Sequence, residues 1–233
     1  MKRLIMTMLV FVIGAGLSVV VLNAQDSFFP SKAGTVLTYA NNDAKGNIDG
    51  YSVLTIKDVK GSGKNMTITY VGTALDKNRK PVKGIELTYQ VVIKNGVAIM
   101  DINQMIPADM REQGLKMDVT GTPMEVPSPG DLKAGQTLKP SEINVTMDLG
   151  IMKTNSVIKM EGKCLAIEDV KVPAGTFKAH KISSKVTTTV LGINNVQTVI
   201  EWFAPGIGQV KTETYDDKNK LLSGSVLTEL KGN

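Results

Sequence analysis

The strongest constraint on the fold is a run of residues in which apolar and polar side chains alternate. Between Ile85 and Lys94, every second residue is a large apolar one, and the residues between them are mostly polar. A period of two is typical of a strand in an antiparallel sheet with one buried and one hydrated face. Asn95-Gly96 follows directly, and this dipeptide is a strong signal for a two-residue β-hairpin. The chain is therefore predicted to build an antiparallel sheet from hairpins.

Comparable β-rich runs, separated by Gly, Pro, Asn and Asp, recur along most of the sequence. The predicted strands cover residues 35–39, 51–57, 65–74, 97–102, 116–121, 142–149, 155–168, 178–191, 199–204, 208–215 and 221–230. About a dozen strands at regular spacing predict an all-β fold. We expect a strongly curved antiparallel sheet or an open barrel, with one short helix.

Two segments interrupt this pattern in the middle of the chain. Residues 107–113 are helix formers behind an N-terminal Pro107, and Gly114 follows them, which predicts the short helix. Residues 122–140 contain four Pro and two Gly, and they predict a long loop that crosses the molecule. We expect residues 105–113 and this loop to pack at the mouth of the sheet.

The first residues of the chain predict export. Lys2 and Arg3 precede an apolar run over residues 4–22, and Asn23-Ala24-Gln25 offers a cleavage point. This layout is that of a secretory signal peptide. We assign residues 1–24 to the signal and residues 25–233 to a single all-β domain, with no transmembrane span after cleavage. A run of about 20 apolar residues would also serve as an uncleaved anchor, and the absence of Cys near the junction argues against a lipidated N-terminus.

Charge and cysteine content argue against a nucleic-acid partner and against an internal disulfide. Without residues 1–24 the net charge falls from +5 to +3, and the lysines are scattered singly among acidic residues. Nucleic-acid binding requires a concentrated basic patch interleaved with aromatic residues, so no nucleic-acid partner is expected. Cys164 is the only Cys, so an exported protein of this sequence has no internal disulfide. A buried, inert thiol is the expected state of Cys164.

No arrangement of residues predicts catalysis, a metal site or a cofactor. His180 is the only His, and Ser184 on the same strand face lies about 13 Å along the strand, too far for a hydrogen bond. We expect His180 to face solvent or to bond locally. One His and one Cys cannot form a zinc site, and residues 41–46 do not begin a calcium loop because Ser52 replaces the Glu required at the twelfth position. We therefore expect a non-enzymatic protein without cofactors.

A short turn-like motif occurs three times. Residues 43–46, 76–79 and 217–220 each begin with Asp, contain Lys or Arg, and precede a Gly and then a strand. Asp, Asn and Gly favour tight turns for different physical reasons. The repetition indicates either the same turn chemistry used three times or an internal duplication.

Methionine is unusually concentrated in one part of the chain. Of the nine Met residues beyond the signal, eight lie between residues 100 and 160. Concentrated Met suits a surface that adapts to varied apolar ligands, but it also fills gaps in loosely regular cores. A Cu(I) thioether site is a third and weaker alternative, because the spacing contains no close Met pair. The residues predicted to form an apolar ligand wall are Met105, Met110, Met117 and Met124.

The only Trp lies in the most clearly defined hairpin. Trp202 ends an apolar run, and Pro205 and Gly206 then form a turn before a second strand begins at Gly208. Strand alternation places Trp202 on the face opposite Glu201 and Phe203. Pro205 fixes the turn, and Gly206 and Gly208 allow positive φ angles. We interpret this hairpin as a structural clasp that anchors the sheet.

Several segments together resemble a known family. They are Phe28-Phe29-Pro30, residues 172–177 (VPAGTF), residues 201–208 (EWFAPGIG), and the closing Tyr215 and Leu227-Thr228. In this order they resemble the TapB-like exported proteins of Gram-negative bacteria. The resemblance implies a β-protein of the periplasm or outer cell envelope, without implying a reaction. Its structural signature comprises Pro173, Gly175, Phe177, Trp202, Pro205, Gly206 and Gly208.

A looser similarity links the chain to lipoprotein carriers of the LolA and LolB kind. In those proteins a curved antiparallel sheet encloses an apolar cavity under a helical lid. Such a similarity concerns fold, and fold does not fix function. Two hypotheses remain open: the protein binds an apolar small molecule or lipid in a concave sheet, or it is a structural or interaction module with a protein partner in the envelope. An enzyme would require a convergent polar cluster in a cleft.

Overall fold

The computed structural model describes residues 27–101, 116–148 and 153–232. These residues form thirteen strands in one antiparallel sheet: β1 (Val36–Asp43), β2 (Ile48–Ser62), β3 (Asn65–Asp76), β4 (Pro81–Lys94), β5 (Val97–Asp101), β6 (Lys116–Thr122), β7 (Glu125–Val126), β8 (Ser141–Asp148), β9 (Lys153–Val172), β10 (Gly175–Val190), β11 (Ile193–Ala204), β12 (Gly208–Asp216) and β13 (Leu221–Lys231). Their order in the sheet is β6-β8-β9-β10-β11-β12-β13-β1-β2-β3-β4-β5-β7. The all-β prediction is confirmed.

The two edges of the sheet are consecutive in sequence. β6 pairs with β8 at one edge, and β7 pairs with β5 at the other, with only Pro123 and Met124 between them. A connection this short spans at most about 11 Å. The sheet must therefore curve until its two edges approach each other at Pro123 and Met124. β6 and β7 share no ladder, and Pro123 has no N–H to donate to one. The sheet is therefore open rather than a closed barrel.

No helix occurs in the three described ranges, and none of these residues forms a helix long and apolar enough to cross a membrane. The predicted helix at 107–113 lies outside the described residues. Several strands run longer than the sequence predicted: β9 has 20 residues and β10 has 16.

Two apolar clusters stabilise the sheet. The face that carries Tyr39, Tyr70 and Tyr89 is its inner face. The main cluster includes these three tyrosines with aliphatic residues of β1 to β5, and the rings of Tyr70 and Tyr89 stack at 5.2 Å. A smaller cluster is formed by residues of β6, β8, β9, β10 and β11. Its buried members are Ile143, Val145, Ile158, Met160, Val186 and Val199.

The segment between β7 and β8 crosses the molecule, as its Pro content predicts. It pairs with the part of β9 that β8 leaves unpaired: Leu138 N–H donates to the Gly162 carbonyl, and Cys164 N–H donates to the Gln136 carbonyl. Leu132 and Leu138 are buried in the main cluster. A Cβ at Gly162 would lie 2.9 Å from the Leu138 side chain, so a larger residue there would displace that side chain.

The repeated motif forms the same turn three times. In each turn a side-chain oxygen of the first Asp accepts the N–H groups of the residues two and four positions later; these aspartates are Asp43, Asp76 and Asp216. The fourth residue has a positive φ in each case: Gly46, Arg79 and Asn219. The third turn therefore begins at Asp216, one residue earlier than the sequence motif. Shared geometry supports the interpretation of common turn chemistry.

Candidate functional site

The two signature segments lie at the same end of the sheet. β10 pairs with both β9 and β11, so the β9–β10 turn at Pro173-Ala174 adjoins the β11–β12 turn at Pro205-Gly206-Ile207. Gly206 N–H donates to the Ser27 carbonyl, which fixes the start of the described chain against this turn. Gly175, Gly206 and Gly208 have φ angles of 147°, 62° and 112°. The positive φ expected at Gly206 and Gly208 is confirmed.

Between these turns lies an open groove of about 470 Å³. The residues that line it come from β9, β10, the end of β11, the β11–β12 turn and the crossing segment: Pro129, Ile167, Thr176, Phe177, Lys178, His180, Ala204, Pro205 and Ile207. Six of these nine residues are apolar. Lys178 is exposed and supplies the positive charge of the groove. A mostly apolar wall with few polar groups is the usual composition of a small-molecule site.

His180 is buried on the inner face beside the groove, with 5% of its surface exposed. The ring of Phe28 packs edge-on against it at 5.0 Å, and Phe203 lies opposite it on β11. The expectation that His180 faces solvent is wrong, because the side chain is buried. Neither ring nitrogen makes a hydrogen bond of good geometry in the described residues. Burial lowers the pKa of His180, while the carbonyls of Leu132 and Pro129 oppose that shift. The imidazole is thus neutral at pH 7.

A second buried polar group lies further along the inner face. Glu201 is 2% exposed, and a carboxyl oxygen of its side chain accepts a hydrogen bond of 2.9 Å from the side-chain amide of Gln209, which is 1% exposed. Burial raises the pKa of Glu201 to about 8, and the hydrogen bond from Gln209 only partly offsets this shift. Glu201 is therefore a neutral carboxylic acid at neutral pH.

Small hydroxyl side chains surround Glu201 in the sheet. Thr212 lies directly opposite it on β12, and Ser225 lies opposite Thr212 on β13. Ser184 occupies the same face of the adjacent strand β10, two residues from the partner of Glu201. The hydroxyl oxygens of Ser184, Thr212 and Ser225 are buried without a hydrogen-bond partner among the described residues. Sequence analysis missed this polar row, although the alternation of β11 did place Glu201 on one face with Phe203.

Trp202 lies on the face opposite Glu201 and Phe203, as predicted, and this is the outer face of the sheet. Its indole N–H donates a hydrogen bond of 2.7 Å to Glu168. The ammonium groups of Lys181 and Lys211 lie 5.0 and 4.6 Å from the ring centroid. These long side chains lie over the indole, which also packs within the main apolar cluster, so that only 5% of Trp202 is exposed. Trp202 therefore contributes nothing to the groove surface.

Cys164 is fully buried on the inner face and free, as predicted. Burial raises the pKa of its thiol, with a small opposing effect from the backbone of Ala166. A thiol held in its protonated form is a poor nucleophile. In the described parts of the chain no group of three or more His, Cys, Asp or Glu side chains is placed to hold a metal ion.

The structure describes half of the predicted methionine wall. Met117 and Met124 both pack against the smaller apolar cluster, together with Met147 and the buried Met160. Met124 also contacts the main cluster, where the two edges of the sheet approach each other. Met105 and Met110 lie outside the described residues. The two described wall residues therefore share a cluster that is separate from the groove.

Comparison with known proteins identifies relatives by sequence and by fold. The DUF3108-like family model matches residues 32–227. A crystal structure from Bacteroides fragilis, of a protein inferred to be exported and described with a YmcC-like fold, is 19% identical, with a TM-score of 0.68 over 89% of this chain and all of that chain. A crystal structure from Parabacteroides distasonis, of a protein inferred to be a lipoprotein, is 23% identical, with a TM-score of 0.70 over 88% of this chain and 99% of that chain. At these identities the likeness concerns the fold alone. No curated protein matches the chain.

Proposed function

We propose that this protein, which belongs to the DUF3108-like family, is a non-enzymatic exported protein that binds an apolar, lipid-like ligand. The ligand site is the groove between the β9–β10 and β11–β12 turns, rather than the methionine wall. The observation that carries the proposal is the convergence of both signature segments on one groove of about 470 Å³. This volume lies within the range of about 300–1,000 Å³ typical of ligand pockets. Similarity in fold to proteins inferred to be exported supports an envelope location.

The charge distribution around the groove favours an acyl chain with an anionic head group. Ile167, Phe177 and Ile207 supply apolar contact area, and Lys178 supplies a cation beside it. His180 is held neutral by burial, so it does not add a second positive charge. A fatty acid fits this pattern: its chain contacts the apolar wall, and its carboxylate pairs with the Lys178 ammonium group. An exposed ion pair of this kind contributes about 1 kcal/mol, so it tunes affinity rather than creating it.

Reversing the charge of Lys178 should separate the contribution of its ion pair to affinity from that of the apolar wall. For Lys178→Glu we expect the Kd for a fluorescent fatty acid to rise about thirtyfold, because an attraction of about 1 kcal/mol becomes a repulsion of similar size, a change of about 2 kcal/mol. The Kd for a fatty alcohol of the same chain length should change less than twofold. Lys57→Glu, at an exposed lysine of β2 away from the groove, is the matched control. Fluorescence titration at low salt measures both constants.

Two outcomes would count against the proposal in different ways. If the unmodified protein takes up neither the fatty acid nor the fatty alcohol, and native mass spectrometry of protein from the periplasm finds it uniformly ligand-free, lipid binding is wrong. If the protein binds both ligands and Lys178→Glu weakens them equally, the groove binds lipid without a role for the Lys178 charge.

The second candidate function is a structural or protein-interaction module of the envelope. It is favoured by the tightly filled inner face, where the large residues Tyr39, Tyr70 and Ile68 have no exposed surface. This function predicts a stable partner protein and no lipid in the purified material. Crosslinking in intact cells, followed by mass spectrometry of the crosslinked species, distinguishes it from the lipid-binding function.

A further inference from the structure

The tip of the β10–β11 hairpin exposes apolar side chains at the end of the sheet opposite the groove. Val190, Leu191 and Ile193 are 38%, 73% and 75% exposed. Leu191 and Ile193 are the two most exposed large apolar residues in the described chain. Lys178, at the groove, precedes Val190 by twelve residues of the same strand, or about 40 Å. The tip therefore cannot be part of the ligand groove.

The backbone of the tip has a conformation that is unfavourable for Leu191. Leu191 and Gly192 have φ angles of 50° and 79°, the arrangement of a two-residue turn that usually takes Asn-Gly. A bulky side chain at positive φ is an outlier with a steric cost. The chain thus places a leucine where asparagine would be more stable and would also be better hydrated. This combination of strain and exposure indicates that the leucine contacts something outside the chain.

The hairpin carries no charge near its tip. Residues 186–200 include no Asp, Glu, Lys or Arg, whereas 21% of the whole chain is charged. The Thr189 hydroxyl and the Asn194 side-chain oxygen form a hydrogen bond of 2.7 Å directly below the turn. The end of this hairpin can therefore enter a less polar environment without burying a charge.

The hairpin also projects beyond its neighbours on one side. β11 begins to pair with β12 only at Gln197, opposite Asp216, so residues 193–196 extend about 13 Å past that point. The adjacent β12–β13 turn carries the exposed side chains of Lys218 and Lys220, together with that of Asp217. Its Asp216 carboxylate is occupied by two backbone N–H groups of the turn. An apolar tip with neighbouring ammonium groups is thus available on this side of the sheet.

We propose that the β10–β11 tip docks the protein on a lipid bilayer with anionic head groups. Val190, Leu191 and Ile193 enter the boundary between head groups and acyl chains, and Lys218 and Lys220 face the lipid phosphates. A stable protein interface buries at least about 1,000 Å² with a well-packed core, which three side chains on a narrow turn do not provide. A bilayer requires no preformed partner pocket, and its affinity scales with the inserted apolar area and the electrostatic attraction.

The test uses protein recovered from the periplasm, with loss of residues 1–24 checked by mass, and vesicles of phosphatidylethanolamine and phosphatidylglycerol. We expect the unmodified protein to float with these vesicles and to bind phosphatidylcholine vesicles more weakly. The double variant Leu191→Asn/Ile193→Thr should lose at least tenfold in vesicle binding, while its melting temperature stays the same or rises because Asn tolerates positive φ. Leu165→Asn, at a residue of β9 that is 45% exposed, is the control and should float normally.

A second measurement reports insertion directly. An environment-sensitive dye attached to L191C should shift to the blue when vesicles are added, whereas a dye at I48C should not. Cys164 is fully buried and does not compete for the label. Absence of vesicle binding by the unmodified protein, equal binding by the double variant, or an unshifted dye at residue 191 would overturn the proposal. Loss of a protein complex in the double variant without any vesicle binding would assign the tip to a protein partner instead.

Discussion

Replacing Glu201 by Gln should make the protein more stable at neutral and alkaline pH and remove most of the pH dependence of its stability. In the folded protein burial raises the pKa of Glu201 to about 8, whereas in the unfolded chain it ionises near its ordinary value of about 4.3. Between these values the folded state binds the additional proton, so the free energy of unfolding falls as pH rises. Above pH 8 both states are ionised and the decline stops.

The size of the effect follows from the separation of the two pKa values. Each unit corresponds to about 1.4 kcal/mol, so the wild-type protein should lose about 3 kcal/mol between pH 4 and pH 7, and about 5 kcal/mol by pH 9. Gln is a neutral mimic of the protonated acid and keeps a polar contact with Gln209. Glu201→Gln should therefore match the wild type at pH 4 and exceed it by about 3 kcal/mol at pH 7.

Urea unfolding at pH 4, 7 and 9 measures this difference. Glu161→Gln, at an exposed residue of β9, is the matched control and should leave the pH profile unchanged. A variant less stable than the wild type at pH 7 would mean that Glu201 is already held as a carboxylate in the folded protein at that pH. Its oxygen would then accept hydrogen bonds from neighbouring hydroxyls, for which Thr212 and Ser225 are the candidates.

Strand identity and local turns were predictable because they depend on neighbouring residues. Alternation identified β4, Asn95-Gly96 identified its hairpin, and Asp, Asn and Gly identified the three equivalent turns. The pairing of β1 with β13 and the approach of β6 to β7 were not predictable. These contacts join distant parts of the sequence, and no local pattern encodes which strands become neighbours.

The candidate site was only half predictable for a similar reason. Alternation placed Trp202 opposite Glu201 and Phe203, but both aromatic residues are large and apolar, so the pattern did not say which face is the inner one. Lys181 and Lys211 cover Trp202 from other strands. Likewise, Phe28 covers His180 from a segment far away in sequence. Burial of a polar residue on a strand depends on such distant segments.

Removing the indole of Trp202 should cause the largest loss of stability among single substitutions on the outer face. Truncating a buried aromatic residue to Ala costs about 3–5 kcal/mol, and a loss of this size lowers the melting temperature of a domain of this length by roughly 6–20 °C. The loss combines the contacts of the indole within the main apolar cluster and under Lys181 and Lys211 with the hydrogen bond to Glu168. Thermal unfolding followed by circular dichroism measures it.

The conservative variant separates these contributions and tests whether Trp202 is structural. Trp202→Phe keeps a ring under the two ammonium groups but loses the bond to Glu168, so we expect it to lose about 1–2 kcal/mol. Because Trp202 faces away from the groove, any folded Trp202→Ala protein should bind the fatty acid with unchanged affinity. An Ala variant with wild-type stability would show that the hairpin does not need its indole. If that stable variant also fails to bind lipid, the outer face rather than the groove holds the ligand.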